Sequence, residues 1–260
     1  MTKQLSGNLY DHPRYYDLVF GSDWRAEFRF LQACFDRHGA GKVQRLFEPA
    51  CGTGRLIYRL AKAGYDVSGL DLNPRAVEYC NRRLKRHQLP PSAVVGDMTD
   101  FRLRRKVDGA FNTINSFRHL TTEAQAEAHL HCMARALRRG GLYVLGIHLL
   151  PTEGKPIDGE SWSARRGNLS VTTNLWVVKR DSRRREERYR MTYSIYTPKE
   201  IYRLVDEFIF RTYTARQFAR LLDRAGCFQV VATYDFAYDI DQPIKIRPDT
   251  EDVVYVLRKR

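Results

Sequence analysis

Residues 47–55, Phe47-Glu48-Pro49-Ala50-Cys51-Gly52-Thr53-Gly54-Arg55, run from an apolar stretch to an acid, then through a glycine-rich turn straight into a helical pattern. Gly52 and Gly54 lack a β-carbon, which permits a sharp turn and lets a ligand approach the main chain. A helix that starts just after such a turn aims amide donors and the positive end of its dipole at that ligand. Two acids follow, Asp71 and Asp97, each closing a strand-like run. At the end of a second strand, Asp71 can accept hydrogen bonds from both hydroxyls of a ribose. Asp97, within Val94-Val95-Gly96-Asp97-Met98, can accept from an adenine amino group while Met98 adds an amide and apolar contact. Capping the next helix is the plainer role for Asp97.

A dinucleotide site uses the same glycine turn, but its fingerprint requires a third glycine in the spacing G-x-G-x-x-G. Counting from Gly52, that third position is Ile57. A branched side chain there argues against a pyrophosphate. Glu48 is likewise a poor neighbour for phosphates and a good one for an ammonium group or a hydroxyl. The loop therefore reads as a binder of a cationic, phosphate-free nucleoside.

The elements that must position these residues follow from periodicity. Residues 1–42 read as a helical lead-in, with Tyr10, Tyr15, Tyr16 and Trp24 ahead of Phe28, Leu31 and Phe35 at spacings of three and four. Strand and helix then alternate. Strands are expected at 43–47, 65–70, 93–95, 107–111 and 142–148. The helices between them run from Gly54 to a stop at Gly64, from the Asn73-Pro74 start, and from the capping box at Thr122 to about Arg138. Such alternation implies a parallel sheet covered on both faces. From about Leu149 the period shortens. Residues 169–179 and 185–196 read as a hairpin, 197–211 leans to strand, and a capping box at Thr214 opens a helix ended by Gly226. Two strands, 228–234 and 253–257, close the chain around a long loop, and long loops are often functional.

These motifs, in this order, resemble the class I S-adenosylmethionine-dependent methyltransferases. The resemblance covers the glycine loop, the ribose acid, the adenine-side acid, the fourth strand and residues 137–143, most of 43–148. Cys51 departs from it, since glycine is frequent there. The resemblance implies an α/β fold: a Rossmann-like, seven-stranded, mostly parallel sheet with one antiparallel member and helices on both faces, plus an antiparallel β insertion. It divides the chain into an N-terminal helical lid (1–42), a cofactor-binding core (43–149), an insertion forming a substrate lobe (150–212) and a C-terminal segment completing the sheet (213–260). It implies S-adenosylmethionine as cofactor and S-adenosylhomocysteine as product, held by Tyr16, Glu48, Ala50, Gly52, Gly54, Asp71, Leu72, Asp97, Met98 and Asn112. His119 and His148, near the ends of strands four and five, are the candidate bases. Trp162, Arg165, Arg211 and Tyr213 are candidates to line the acceptor pocket.

Several chemistries are discounted. Neither an Asn/Asp-Pro-Pro-Tyr/Phe motif nor a cysteine follows the fourth strand, against amino methylation of nucleic acid and against a covalent base adduct. His129 and His131 lie two apart on a helix and point in nearly opposite directions, so no metal is expected there. The net charge is +14, but its arginine runs at 82–86, 102–106, 138–139 and 183–190 are dispersed, which favours solvated faces over a nucleic-acid surface. The five cysteines form no framework, no signal peptide or membrane span is apparent, and the expected setting is cytoplasmic. The reading that emerges is methyl transfer to nitrogen or oxygen of a small molecule. Methylation of RNA or another polyanion, or cofactor binding without turnover, stand as alternatives.

Overall fold

The computed structural model describes residues 2–21 and 24–260. Met1, Ser22 and Asp23, which fall in the 1–42 segment, lie outside the described residues. In chain order the elements are β1 (Thr2–Gln4), α1 (Pro13–Gly21), α2 (Arg25–His38), β2 (Arg45–Pro49), α3 (Ile57–Lys62), β3 (Asp66–Asp71), α4 (Pro74–Arg86), β4 (Ala93–Val95), β5 (Val107–Asn112), α5 (Glu123–Ala136) and β6 (Leu137–His148). Then come β7 (Gly159–Arg166), β8 (Leu169–Asp181), β9 (Glu186–Tyr196), β10 (Ile201–Arg211), α6 (Ala215–Ala225), β11 (Phe228–Tyr234) and β12 (Asp252–Lys259).

Seven strands form the main sheet in the order β11-β12-β6-β5-β2-β3-β4. β2 to β6 run parallel, and β12 is antiparallel to both β6 and β11, so one strand is reversed. Alternate residues of β6 serve opposite faces. Tyr143, Leu145 and Ile147 join α5 and α6 in one core, while Leu142 and Val144 join α2, α3 and α4 in the other. Both faces are thereby covered, as a parallel sheet requires.

A second sheet, ordered β1-β10-β9-β8-β7, is antiparallel except for the parallel β1–β10 pair. The N-terminal segment is therefore not purely helical, because β1 lies on the edge of this sheet. Leu9, Leu18 and Val19 of that segment pack into a third core with Val171, Tyr193, Ile195 and Leu204.

Local chemistry explains the element ends. Thr122 accepts from the Gln125 amide at 3.2 Å while the Gln125 side chain accepts from the Thr122 amide at 3.1 Å, the reciprocal box read from sequence. Asn73 Oδ1 accepts from the Arg75 and Ala76 amides at 2.9 and 3.1 Å. Three boundaries differ from expectation. α3 starts at Ile57 and not at Gly54, because Gly54 has φ 67°, outside the helical region. α5 stops at Ala136, since Leu137 turns into extended backbone, pairs with Val107 and buries its side chain completely. β7 forms ahead of the expected hairpin and pairs with β8 along its whole length.

The arginine runs are not uniformly solvated. Arg83 is half-buried and paired with the buried Asp17, and Arg185 joins Arg211 and Arg224, from outside the runs, on Glu123. Burial opposes it, but hydrogen bonds from Arg211 and Arg224 and the charge of Arg185 bring the Glu123 carboxyl down to about 2.

Candidate active site

One cavity of about 1090 Å³ lies between the carboxyl ends of the main-sheet strands, helix α1 and the inner face of the second sheet. Its volume exceeds the roughly 300–1,000 Å³ usual for one ligand. It can hold a donor and an acceptor together.

The main-sheet half is built on the loop after β2. Ala50 and Gly52 both have positive φ, 53° and 52°, and both line the cavity. A β-carbon on Gly52 would meet only the Tyr16 ring, at 3.6 Å, so that ring from α1 lies over the turn. Asp71 ends β3 with both oxygens tethered: Oδ2 accepts from the Gly52 amide and Oδ1 from the Asn73 amide, each at 2.8 Å. Each oxygen retains a lone pair for a further donor. Burial pushes the Asp71 carboxyl up, and those two amides oppose the shift. Leu72, Gly96 and Met98 continue the wall. The buried His129 fixes Met98 from behind, its Nδ1 lying 2.9 Å from the Met98 carbonyl and its Nε2 2.9 Å from the Tyr143 hydroxyl.

Four of the expected cofactor residues do not line the cavity. A β-carbon on Gly54 would collide with Cys80 Sγ, so this glycine serves packing of the loop on α4. Glu48 is buried beneath the loop, where burial raises its carboxyl well above the usual range and Arg55 opposes the shift. Its Oε2 has no partner among the described residues. Asn112 is buried too, donating to the Pro49 carbonyl at 2.7 Å. Asp97 folds back, Oδ1 accepting from the Thr99 amide at 2.7 Å and hydroxyl at 2.8 Å; this closes a turn in the loop between β4 and β5, where the described residues form no helix for it to cap. The Cys51 departure also has a cause. Gly69 lies beneath that loop, and a β-carbon there would come within 2.9 Å of Cys51 Cβ and 2.6 Å of Ile57 Cδ1. Both larger side chains fill the space it leaves.

Of the candidate bases, His119 faces the second sheet and His148 ends β6 of the main sheet. His119 lines the cavity with its Nε2 2.8 Å from the Tyr10 hydroxyl. Burial, and next the charge of Arg118, lower its imidazole to about 4. His148 also lines the cavity, but both its nitrogens face carboxylates: Nδ1 lies 2.7 Å from Asp252 and Nε2 2.9 Å from Glu251. It ties β6 to the start of β12.

Of the expected acceptor residues only Trp162 lines the cavity. Arg165 is exposed and donates to the Gly167 carbonyl at 3.0 Å. Arg211 and Tyr213 lie behind the pocket wall. Arg211 donates to the Thr121 carbonyl at 2.7 Å and to Glu123 at 2.8 Å, and Tyr213 is fully buried among Phe117 and Phe218. The wall itself is Tyr189, Met191, Phe208 and Phe210. Their spacing of two is the strand period and marks them as one face, a signal the sequence does carry. Glu27 and Tyr238 were not legible. Glu27 of α2 forms a buried two-pronged ion pair with Arg55, and the Tyr238 hydroxyl, from the long loop after β11, reaches Glu27 Oε1 at 3.3 Å and the Thr113 carbonyl at 3.1 Å.

This donor set fits S-adenosylmethionine. Asp71 offers acceptors to a diol, Leu72, Gly96 and Met98 offer a slot for a purine, and the open backbone at Ala50 and Gly52 can take the amino-acid tail. No unpaired cation stands on this half, among the described residues, to hold a pyrophosphate.

Comparison with known proteins agrees. Residues 47–141 match the methyltransferase domain family model. The chain is 29% identical over 179 residues to the dTDP-3-amino-3,4,6-trideoxy-alpha-D-glucopyranose N,N-dimethyltransferase of Streptomyces venezuelae, a match spanning 62% of this chain and 73% of that protein. It is 31% identical over 162 residues to the dTDP-3-amino-3,6-dideoxy-alpha-D-glucopyranose N,N-dimethyltransferase of Streptomyces fradiae, spanning 60% and 61%. In fold it is similar to S. venezuelae DesVI, with TM-score 0.75, 20% identity and coverage of 94% of this chain and 97% of that one. CalS10, an amino pentose methyltransferase from Micromonospora echinaspora solved with S-adenosylmethionine bound, gives TM-score 0.70 at 20% identity with both chains fully covered. Residues 47–141 carry a methyltransferase domain, and these relatives support a place in the class I S-adenosylmethionine-dependent methyltransferase superfamily. The chain is an S-adenosylmethionine-dependent methyltransferase, and S-adenosylmethionine is its cofactor.

Proposed function

We propose that this enzyme methylates an amine on a small molecule, with Tyr10 and His119 receiving the acceptor nitrogen. The bound cofactor supplies a methyl carbon that forms a C–N bond with the amine lone pair as its bond to sulfur breaks, the sulfur keeping the electron pair. Such a donor is already activated, so the protein's contribution is chiefly alignment. The observation that carries the reading is the Tyr10–His119 pair, held at 2.8 Å on the second-sheet half of the same cavity that Asp71 lines. With its imidazole lowered to about 4, His119 is neutral at physiological pH and can take a hydrogen bond from the amine. The proton released on methylation passes through this pair to water. His148 is less suited to the task, since both its nitrogens are engaged. The N,N-dimethyltransferase relatives support nitrogen over oxygen. Five free cysteines are consistent with a cytoplasmic setting, and among the described residues no helix is long and apolar enough to cross a membrane.

The test is S-adenosylhomocysteine release with a panel of amines and alcohols. His119→Ala is expected to lower kcat about a hundredfold, within the range for a positioned acid–base group, with S-adenosylhomocysteine affinity unchanged. Tyr10→Phe is expected to fall between the variant and the wild type. Full turnover in His119→Ala, or turnover of alcohols alone, refutes the assignment.

A further inference from the structure

The acceptor half of the cavity has a chemical character of its own, set by cross-strand register. On the inner face of the second sheet Val177, Tyr189 and Phe208 form one row, and Leu175 and Met191 lie in the next. Tyr189 and Phe208 lie nearly parallel, 13° between planes and 5.9 Å between centroids, and Phe210 crosses Phe208 at 5.0 Å. Trp162 continues the wall and meets Phe20 of α1 edge-on at 5.9 Å.

Charge is nearly absent from this wall. Among the described residues, the charged side chains on this half are Arg118 and Glu160. Arg118 is already committed. It is paired with the buried Glu187, and its Nε donates to the Arg211 carbonyl at 3.0 Å. Glu187 in turn accepts from Arg180 at 2.6 Å, and Arg180 also reaches Asp158 at 3.1 Å. That chain of two arginines and two carboxylates sums to zero, and Asp206, in register with Met191, accepts from the Leu9 amide at 3.0 Å; among the lining residues this leaves Glu160 as the uncompensated charge. It is negative. An incoming phosphate would lose water and find no free cation, a penalty of the kind that buried, unpaired charges carry.

We infer that the acceptor amine is borne on a hydrophobic, phosphate-free body, unlike the nucleotide-linked amino sugars named for the two curated relatives. The inference rests on the proposed amine methylation in this same cavity, and it adds the class of molecule that carries the amine. Aromatic walls favour flat or alicyclic apolar rings, and the lone acid tolerates a cationic amine on its way in.

A matched pair of probes separates the alternatives. The p-nitrophenyl glycoside of a 3-amino-3,6-dideoxyhexose and the dTDP ester of the same sugar are titrated by calorimetry into the protein saturated with S-adenosylhomocysteine. The aryl glycoside is expected to bind at least tenfold more tightly, with little dependence on salt. Phe208→Ala should weaken it about tenfold, in line with the loss of one aromatic contact surface, while S-adenosylhomocysteine affinity reports that the variant is folded. Leu175→Arg, which places a cation beside Met191, should raise affinity for the dTDP ester. Tighter binding of the dTDP ester by the wild type, or saturation by neither probe, overturns the inference. An aryl glycoside that binds as expected but releases no S-adenosylhomocysteine under turnover conditions supports this pocket character and refutes the proposed reaction.

Discussion

Asp71→Asn is the most direct probe of the donor half. The carboxylate is tethered at both oxygens, to the Gly52 and Asn73 amides at 2.8 Å each, and it faces the cavity. Asparagine keeps the shape but turns one acceptor into a donor. Whichever oxygen is replaced, one backbone N–H then faces an NH2 group, and the ribose loses its anionic partner. Hydrogen bonds to a charged group are worth roughly 1.5–3 kcal/mol each. Losing one ribose bond and weakening the other comes to about 3 kcal/mol, or about a hundredfold in Kd. Calorimetry with S-adenosylhomocysteine reads that number, and urea unfolding confirms that the variant is folded. Asp97→Asn is the control, because that carboxylate is spent on Thr99. Its Kd should stay within about threefold of the wild type, as expected for a group making no ligand hydrogen bond. The reasoning fails if folded Asp71→Asn binds as tightly as the wild type, or if Asp97→Asn loses as much.

Two further outcomes concern stability. Glu27→Gln strips the partner from Arg55 in an ion pair whose side chains are 4% and 10% exposed. The expected loss is about 3–5 kcal/mol in urea unfolding, the usual cost of leaving a buried charge unpaired; a loss below about 1 kcal/mol would show that Arg55 is satisfied by other groups. His129 is fully buried and lowered from 6.5 to about 4 by burial, with its Met98 hydrogen bond opposing. Its unfolded form takes a proton first on acidification, so its contribution is complete above the unfolded pKa and is lost as pH falls from 6.5 towards 4. Between pH 7 and pH 5 the protein should lose about 2 kcal/mol through this group. His129→Phe should flatten that part of the urea-derived profile, and an unchanged slope would refute the assignment.

Much of the site was legible because its chemistry is local. The glycine turn, the acid ending the next strand, and the Thr122, Asn73 and Thr214 caps each depend on residues close in the chain. Side chains that reach across the fold were harder to read. Arg211 ends a strand of the insertion and Tyr213 lies just beyond it, and both look like pocket residues, yet Glu123 of α5 holds the arginine, and the core around Phe117 and Phe218 holds the ring. Arg83 resembles its neighbours in a basic run, but Asp17 of α1 draws it inward. Glu48 and Gly54 sit in the most informative stretch of the chain, and both turn away from the cavity.

What the chain alone determines is the class of donor: a turn free of side chains, no third glycine, and an acid 19 residues after Gly52 admit a nucleoside without phosphates. Short-range geometry suffices for that, because a strand, a turn and a helix place those groups with little help from elsewhere. The acceptor end was decided by tertiary structure. Tyr10 and His119, 109 positions apart, meet only because the N-terminal segment is seated on the second sheet. The apolar wall exists only because the register of β8, β9 and β10 turns Leu175, Met191, Tyr189 and Phe208 to one face while Arg118 is neutralised by Glu187. Such pairings depend on long-range packing, which no spacing along the chain encodes.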